Sequence, residues 1–197
     1  MPAPADLAKI KVNLKLSVSR LRLLQQKKVA LSKQARRELA LQLIPQGKIQ
    51  SARIRVENII ADDIYVELLE VLELYCELLL ARIGVVESSG GAHGGLEEAL
   101  YSLMYAAPRV DVKELTELRR LLIQRYGKAF DQELTASATA AETMGGGPGS
   151  ESKVSEKVLG KLRFAVPDAQ LVTSYLREIA RAYGVDFHNG DTPPGSV

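Results

Sequence analysis

KIQSARIRVENIIADDIYVELLEVLELYCELLLARIGVV, residues 48 to 86, contains no proline and keeps its only glycine, Gly84, near its end. Ile49, Val56, Ile60, Ile64, Leu68, Leu72, Tyr75, Leu79 and Ile83 recur in it at intervals of three, four and seven, which is the apolar stripe of a helix. At about 1.5 Å per residue the stretch predicts a rod longer than about 50 Å. Upstream, over residues 7 to 44, Leu14, Val18, Leu21, Leu24, Leu31, Ala35, Leu39 and Leu43 form a second stripe. Pro45-Gln46-Gly47 stops that helix, because proline cannot continue the hydrogen-bond ladder and glycine supplies the turn. A connection of about three residues forces the two rods into an antiparallel hairpin.

Charge is sorted along this hairpin. Residues 9 to 55 carry thirteen Lys and Arg against one acid, Glu38, while residues 57 to 80 carry seven acids and no base. With about 100° per residue, Lys11, Lys15, Arg22, Lys33, Arg36 and Arg37 fall in one arc of about 100° on the first helix. Lys9, Arg20 and Lys27 make a smaller second row. On the second helix Asp63, Glu67, Glu70, Glu73 and Glu77 stack at spacings of four, three, three and four. Like charges at that spacing repel by a few tenths of a kcal/mol per pair, so packing, a neighbouring helix or a basic partner is expected to compensate them. The basic ridges are read as a surface for something anionic, either acidic lipid, the acidic face of another copy or homologue, or nucleic acid.

The rest of the chain reads as shorter elements. Ser88 to Gly95 is loop by composition; helices are expected over about 96 to 107 and from about 111 to 129, with an extension toward 134. Residues 136 to 152, with Gly145-Gly146-Gly147-Pro148-Gly149, read as a flexible linker. A small helix over about 155 to 162, a bend, and an amphipathic helix over 168 to 183 lined by Leu171, Val172, Tyr175, Leu176, Ile179 and Tyr183 follow, and the tail from 188 reads as disordered. The whole is expected to be one all-α domain over 1 to 187.

Several function classes are disfavoured by composition. The single cysteine, Cys76, excludes an internal disulfide framework and fits a reducing compartment. No signal peptide opens the chain, and no apolar run reaches the length of a spanning helix, so a cytoplasmic protein that meets membranes from their surface is expected. His93 and His188 have no metal-ligand spacing, the glycine run at 145 to 149 lacks the lysine of a phosphate loop, and Asp62-Asp63 diverge on the helix. No catalytic constellation, metal site or cofactor is implied. A nucleic-acid-binding helical protein using the basic first helix is the alternative reading. The basic residues have no stacking aromatics among them, so nucleic acid is not expected as a partner.

Arg53-Ile54-Arg55-Val56-Glu57 and Glu67-Leu68-Leu69-Glu70-Val71-Leu72-Glu73-Leu74-Tyr75-Cys76-Glu77-Leu78-Leu79-Leu80-Ala81-Arg82 resemble the signature of the Ist (increased sodium tolerance) proteins related to ESCRT-III. Val12-Asn13-Leu14-Lys15-Leu16, Ala106-Ala107-Pro108-Arg109 and Tyr175-Leu176-Arg177-Glu178-Ile179-Ala180-Arg181 agree in the same order, so the similarity spans about residues 8 to 187. The resemblance implies an ESCRT-III-like core, a long antiparallel helical hairpin with shorter helices along it and a carboxy-terminal helix folding back. It implies a non-enzymatic subunit that co-assembles with ESCRT-III proteins on endosomal membranes and modulates the vacuolar-sorting AAA ATPase in multivesicular body sorting and membrane scission. A carboxy-terminal helix of a charged multivesicular body protein is the implied partner, docked in the groove region around the second and last helices; the acidic stripe of Glu67, Glu70, Glu73 and Glu77 and the last helix's Tyr175 and Tyr183 are expected to receive it. Members carry a further linker and a terminal helix for the ATPase, so direct ATPase contact is not expected of these 197 residues.

Overall fold

The computed structural model describes residues 4–84, 95–143, 153–164 and 166–187, and among these every regular element is helical. Helix α1 spans Pro4–Glu38 and runs into a π-helical stretch, Leu39–Leu43; α2 spans Ile49–Ala81. Then come α3 (Glu97–Ala106), α4 (Lys113–Tyr126), α5 (Lys128–Thr143), α6 (Glu156–Arg163) and α7 (Ala169–Ala182). The expected loop at 88 to 94, the glycine run at 145 to 149 and the tail from 188 lie outside the described residues.

The turn between α1 and α2 follows from three residues. The Ile44 amide donates to the Leu39 carbonyl at 3.1 Å, a five-residue closure that widens the last turn and shifts burial to Leu39, Ala40 and Ile44. Gly47 sits at φ 68°, where its amide donates to Ile44 and the next amide, Lys48, to Leu43, both at 3.0 Å. That pair of bonds satisfies the orphan carbonyls of the helix end and reverses the chain.

Two compact units result, each holding part of α1 and part of α2. In the first, Ile10, Leu14, Val18 and Leu21 of α1 and Leu68, Leu69, Leu72, Cys76 and Leu79 of α2 are buried with α3 to α6. All residues of α3 from Ala99 to Ala106 are buried, which makes it the central helix of this unit. Leu115, Leu118, Leu121 and Leu122 of α4 bury one stripe, and Tyr101 meets Phe130 edge-on with ring centroids 4.7 Å apart. The Ser102 hydroxyl accepts from the Ser155 amide at 2.9 Å and so anchors the start of α6.

In the second unit, α1 beyond Gln25 and α2 up to Val66 run antiparallel, with α7 packed on the residues flanking their turn. Asp168 caps α7 by accepting from the Leu171 amide at 2.6 Å. Val172, Leu176, Ile179 and Ala180 enter a core with Leu39, Ile44, Val56, Ile59 and Ile60, while Tyr175 and Tyr183 pack partly buried against it. The burial stripe departs from even periodicity at one place. Leu31, assigned to the stripe from its spacing, is 48% exposed, and its neighbour Ser32 is buried because its hydroxyl donates to Asp63 at 3.2 Å.

Two further differences concern the middle of the chain. The helix read as continuous from about 111 breaks at Gly127, whose φ of 89° and ψ of 169° no helix can hold. Helix α5 then continues past residue 136, where composition read as linker, to Thr143. Its threonines remain compatible with helix because Thr135 and Thr139 donate back to the carbonyls four residues earlier, both at 2.9 Å.

Candidate interaction surfaces

Most of the acidic ladder of α2 is answered from within each unit. In the first unit, the Arg22 guanidinium reaches Glu73 at 2.5 Å through Nε and Glu77 through Nη2, and Gln25 donates to the other oxygen of Glu73 at 2.7 Å. The hydrogen bond and charge of Glu73 raise the pKa of Arg22 above its ordinary value, with Glu77 adding to it. Glu67 pairs with Lys161 of α6. Glu70 is exposed. In the second unit, Arg36 pairs with Asp63, which also accepts from Ser32, and Lys28 pairs with Asp62 at 2.6 Å. The neighbouring helices thus supply most of the compensation that the like-charge spacing demands.

The six basic residues of the main arc separate accordingly. Arg22 and Arg36 are committed to α2 carboxylates, and Arg36 also lies over the Tyr175 ring at 5.9 Å from its centroid. Lys11, Lys15, Lys33 and Arg37 are exposed. Of the residues assigned to a partner groove, Tyr175 and Tyr183 are part of the α7 packing of the second unit, while Glu67, Glu70, Glu73 and Glu77 belong to the first. Sequence reasoning set aside Asp62 and Asp63 as a divergent pair. Their divergence lets them pair separately, and basic residues at 28 and 36, eight apart on one helix, were the available signal. No described helix is long and apolar enough to cross a membrane.

An antiparallel pair of long helices, shorter helices on it in one unit and a last helix packed beside its turn in the other define an ESCRT-III-like helical domain. The family described as "Ist1: Regulator of Vps4 activity in the MVB pathway" matches residues 11–186. The chain is 40% identical over 188 residues to the vacuolar protein sorting-associated protein IST1 of Saccharomyces cerevisiae, covering 91% of this chain and 58% of that protein. It is 33% identical over 189 residues to an IST1-like protein of Dictyostelium discoideum, covering 96% of this chain and 48% of that protein. The crystal structure of the S. cerevisiae Ist1 N-terminal domain in complex with the Did2 MIM motif matches 99% of this chain and 100% of that one, with a TM-score of 0.79 at 37% identity. The chain belongs to the Ist1 family, and it spans about half to three fifths of the length of these two full-length relatives.

Proposed function

We propose that this domain is a non-enzymatic ESCRT-III-related subunit that binds the carboxy-terminal helix of another subunit, co-assembles with such subunits on acidic membranes of the multivesicular body pathway, and thereby modulates the disassembling ATPase in sorting and scission. The observation that carries the reading is the full-length match to an Ist1 N-terminal domain complexed with a MIM motif. Chemistry favours a helical ligand as well. A short amphipathic helix would lay its apolar face beside Tyr175 and Tyr183, which pack partly buried on the core of the second unit. Exposed Lys11, Lys15, Lys33 and Arg37 serve lipid headgroups or acidic faces of neighbouring subunits, at about 1 kcal/mol per basic residue near an acidic surface. Release of α7 from its packing is the conformational step that would switch assembly.

Titration of a fluorescent MIM-type helix tests the first claim. Saturable binding is expected, weakened by Tyr175→Asp or Tyr183→Asp in variants whose circular dichroism and melting match the parent. Absence of binding at about millimolar concentration rules the reading out. For the second claim, Lys11, Lys15, Lys33 and Arg37 all changed to Glu should abolish sedimentation with phosphatidylserine vesicles, and retention of full binding would reduce the ridge to a solvated face.

A further inference from the structure

Helix α1 has two apolar faces in the first unit. One, formed by Ile10, Leu14, Val18 and Leu21, is buried. On the opposite side Val12, Leu16 and Leu23 are 57%, 52% and 55% exposed. At about 100° per residue these three lie within about 40° of one another, roughly opposite the buried set. Scattered exposed aliphatics are ordinary, but three in one line over about 16 Å of helix are not. Ser19 lies about 20° outside the line, and its hydroxyl donates back to the Lys15 carbonyl at 3.2 Å.

Basic residues border the line on both sides. Measured from the middle of the line, Lys15 and Lys11 lie about 80° and 120° to one side, and Lys9 and Arg20 about 40° and 60° to the other. Lys9, Lys11 and Lys15 are exposed. The acids near this face come from α4 and α2: Glu114 pairs with Arg20 at 2.9 Å, Glu117 pairs with Arg120 and is held below its ordinary pKa by Arg120 first and by Lys9 to a lesser degree, and on the Lys11 and Lys15 side Glu73 and Glu77 are taken up by Arg22. Helix α1 itself contributes no acid between Lys9 and Arg37. An aliphatic line between rows of lysine is the pattern of a helix lying in the plane of an acidic bilayer, its methyls among the acyl chains and its ammonium groups at the phosphates.

We propose that Val12, Leu16 and Leu23 insert shallowly into acidic membrane, making the contact of this subunit with lipid partly apolar. The inference rests on the membrane reading above and adds insertion to it. Charge alone gives binding that fails as salt screens it, whereas a buried aliphatic line leaves a salt-resistant part. The experiment uses flotation with phosphatidylserine–phosphatidylcholine vesicles at low salt and at about 0.5 M salt. It is run on the full chain and on a variant with Val12, Leu16 and Leu23 changed to Ser, together with a Leu16→Cys, Cys76→Ala protein labelled with an environment-sensitive dye. Expected are a bound fraction that survives high salt, its loss by about tenfold in the serine variant, and a blue shift of the dye on vesicles. Binding that is wholly salt-labile, with no dye shift, overturns insertion and leaves surface adsorption standing. No binding at either salt overturns the membrane reading itself. A dye shift without vesicles that depends on protein concentration overturns insertion in favour of a contact between copies.

Discussion

Cys76 shows how residue type and setting decide chemistry. Its thiol is buried in the first unit, and burial first, then the charges of Glu73 and Glu77, push its pKa far above the ordinary thiol range. The folded state therefore holds the thiol neutral, while the unfolded chain ionises it near about 8.5. Its contribution to stability is complete below that pH and is lost as pH rises above it. Two outcomes follow. At pH about 8, a thiol reagent should modify Cys76 only through opening of the unit, at least about a thousandfold slower than a free cysteine. Alkaline destabilisation measured by denaturant titration should be shallower in Cys76→Ala than in the parent. Modification at the free-thiol rate without denaturant would place the thiol at the surface.

At the scale of elements, Gly127 controls the path of the chain between α4 and α5. Its amide closes α4 by donating to the Ile123 carbonyl at 2.8 Å, and its backbone occupies a region that only glycine enters readily. A methyl group there would touch nothing within 4 Å, so any cost of Gly127→Ala is backbone strain and not a clash. The substitution is expected to destabilise by about 1–3 kcal/mol in chemical denaturation. Unchanged stability would mean that α4 and α5 merge without penalty. The same glycine explains what could be read in advance. The hairpin, the all-helical class and the amphipathic α7 were legible because their apolar periods are long and end at Pro45 or an Asp168 cap. The break at Gly127 was not, since one glycine inside a helical pattern is compatible with either continuation or a stop. Nor was the shift from Leu31 to Ser32, which depends on Asp63, or the capture of Glu67 by Lys161, 94 residues away. The six-residue basic arc was legible as a face; that two of its members are spent on internal pairs required the partner helix.

For the whole molecule, the division into two units predicts two separable stabilities even though α1 and α2 contribute to both. Leu176 is fully buried in the core of the second unit, against residues flanking the interhelical turn. Leu176→Ala removes about 2–5 kcal/mol from that packing. If α7 is the releasable element proposed above, the loss should fall on its docking and on the hairpin residues it covers. Native-state hydrogen exchange should then show reduced protection at residues 26–66 and 166–187, while α3 and α4, whose buried stripes lie in the first unit, keep theirs. The same variant should gain affinity for assembly partners if docking of α7 opposes assembly, because a less populated docked state competes less with binding. Equal loss of protection in both units would instead show a single cooperative fold, in which α7 cannot leave without unfolding everything else.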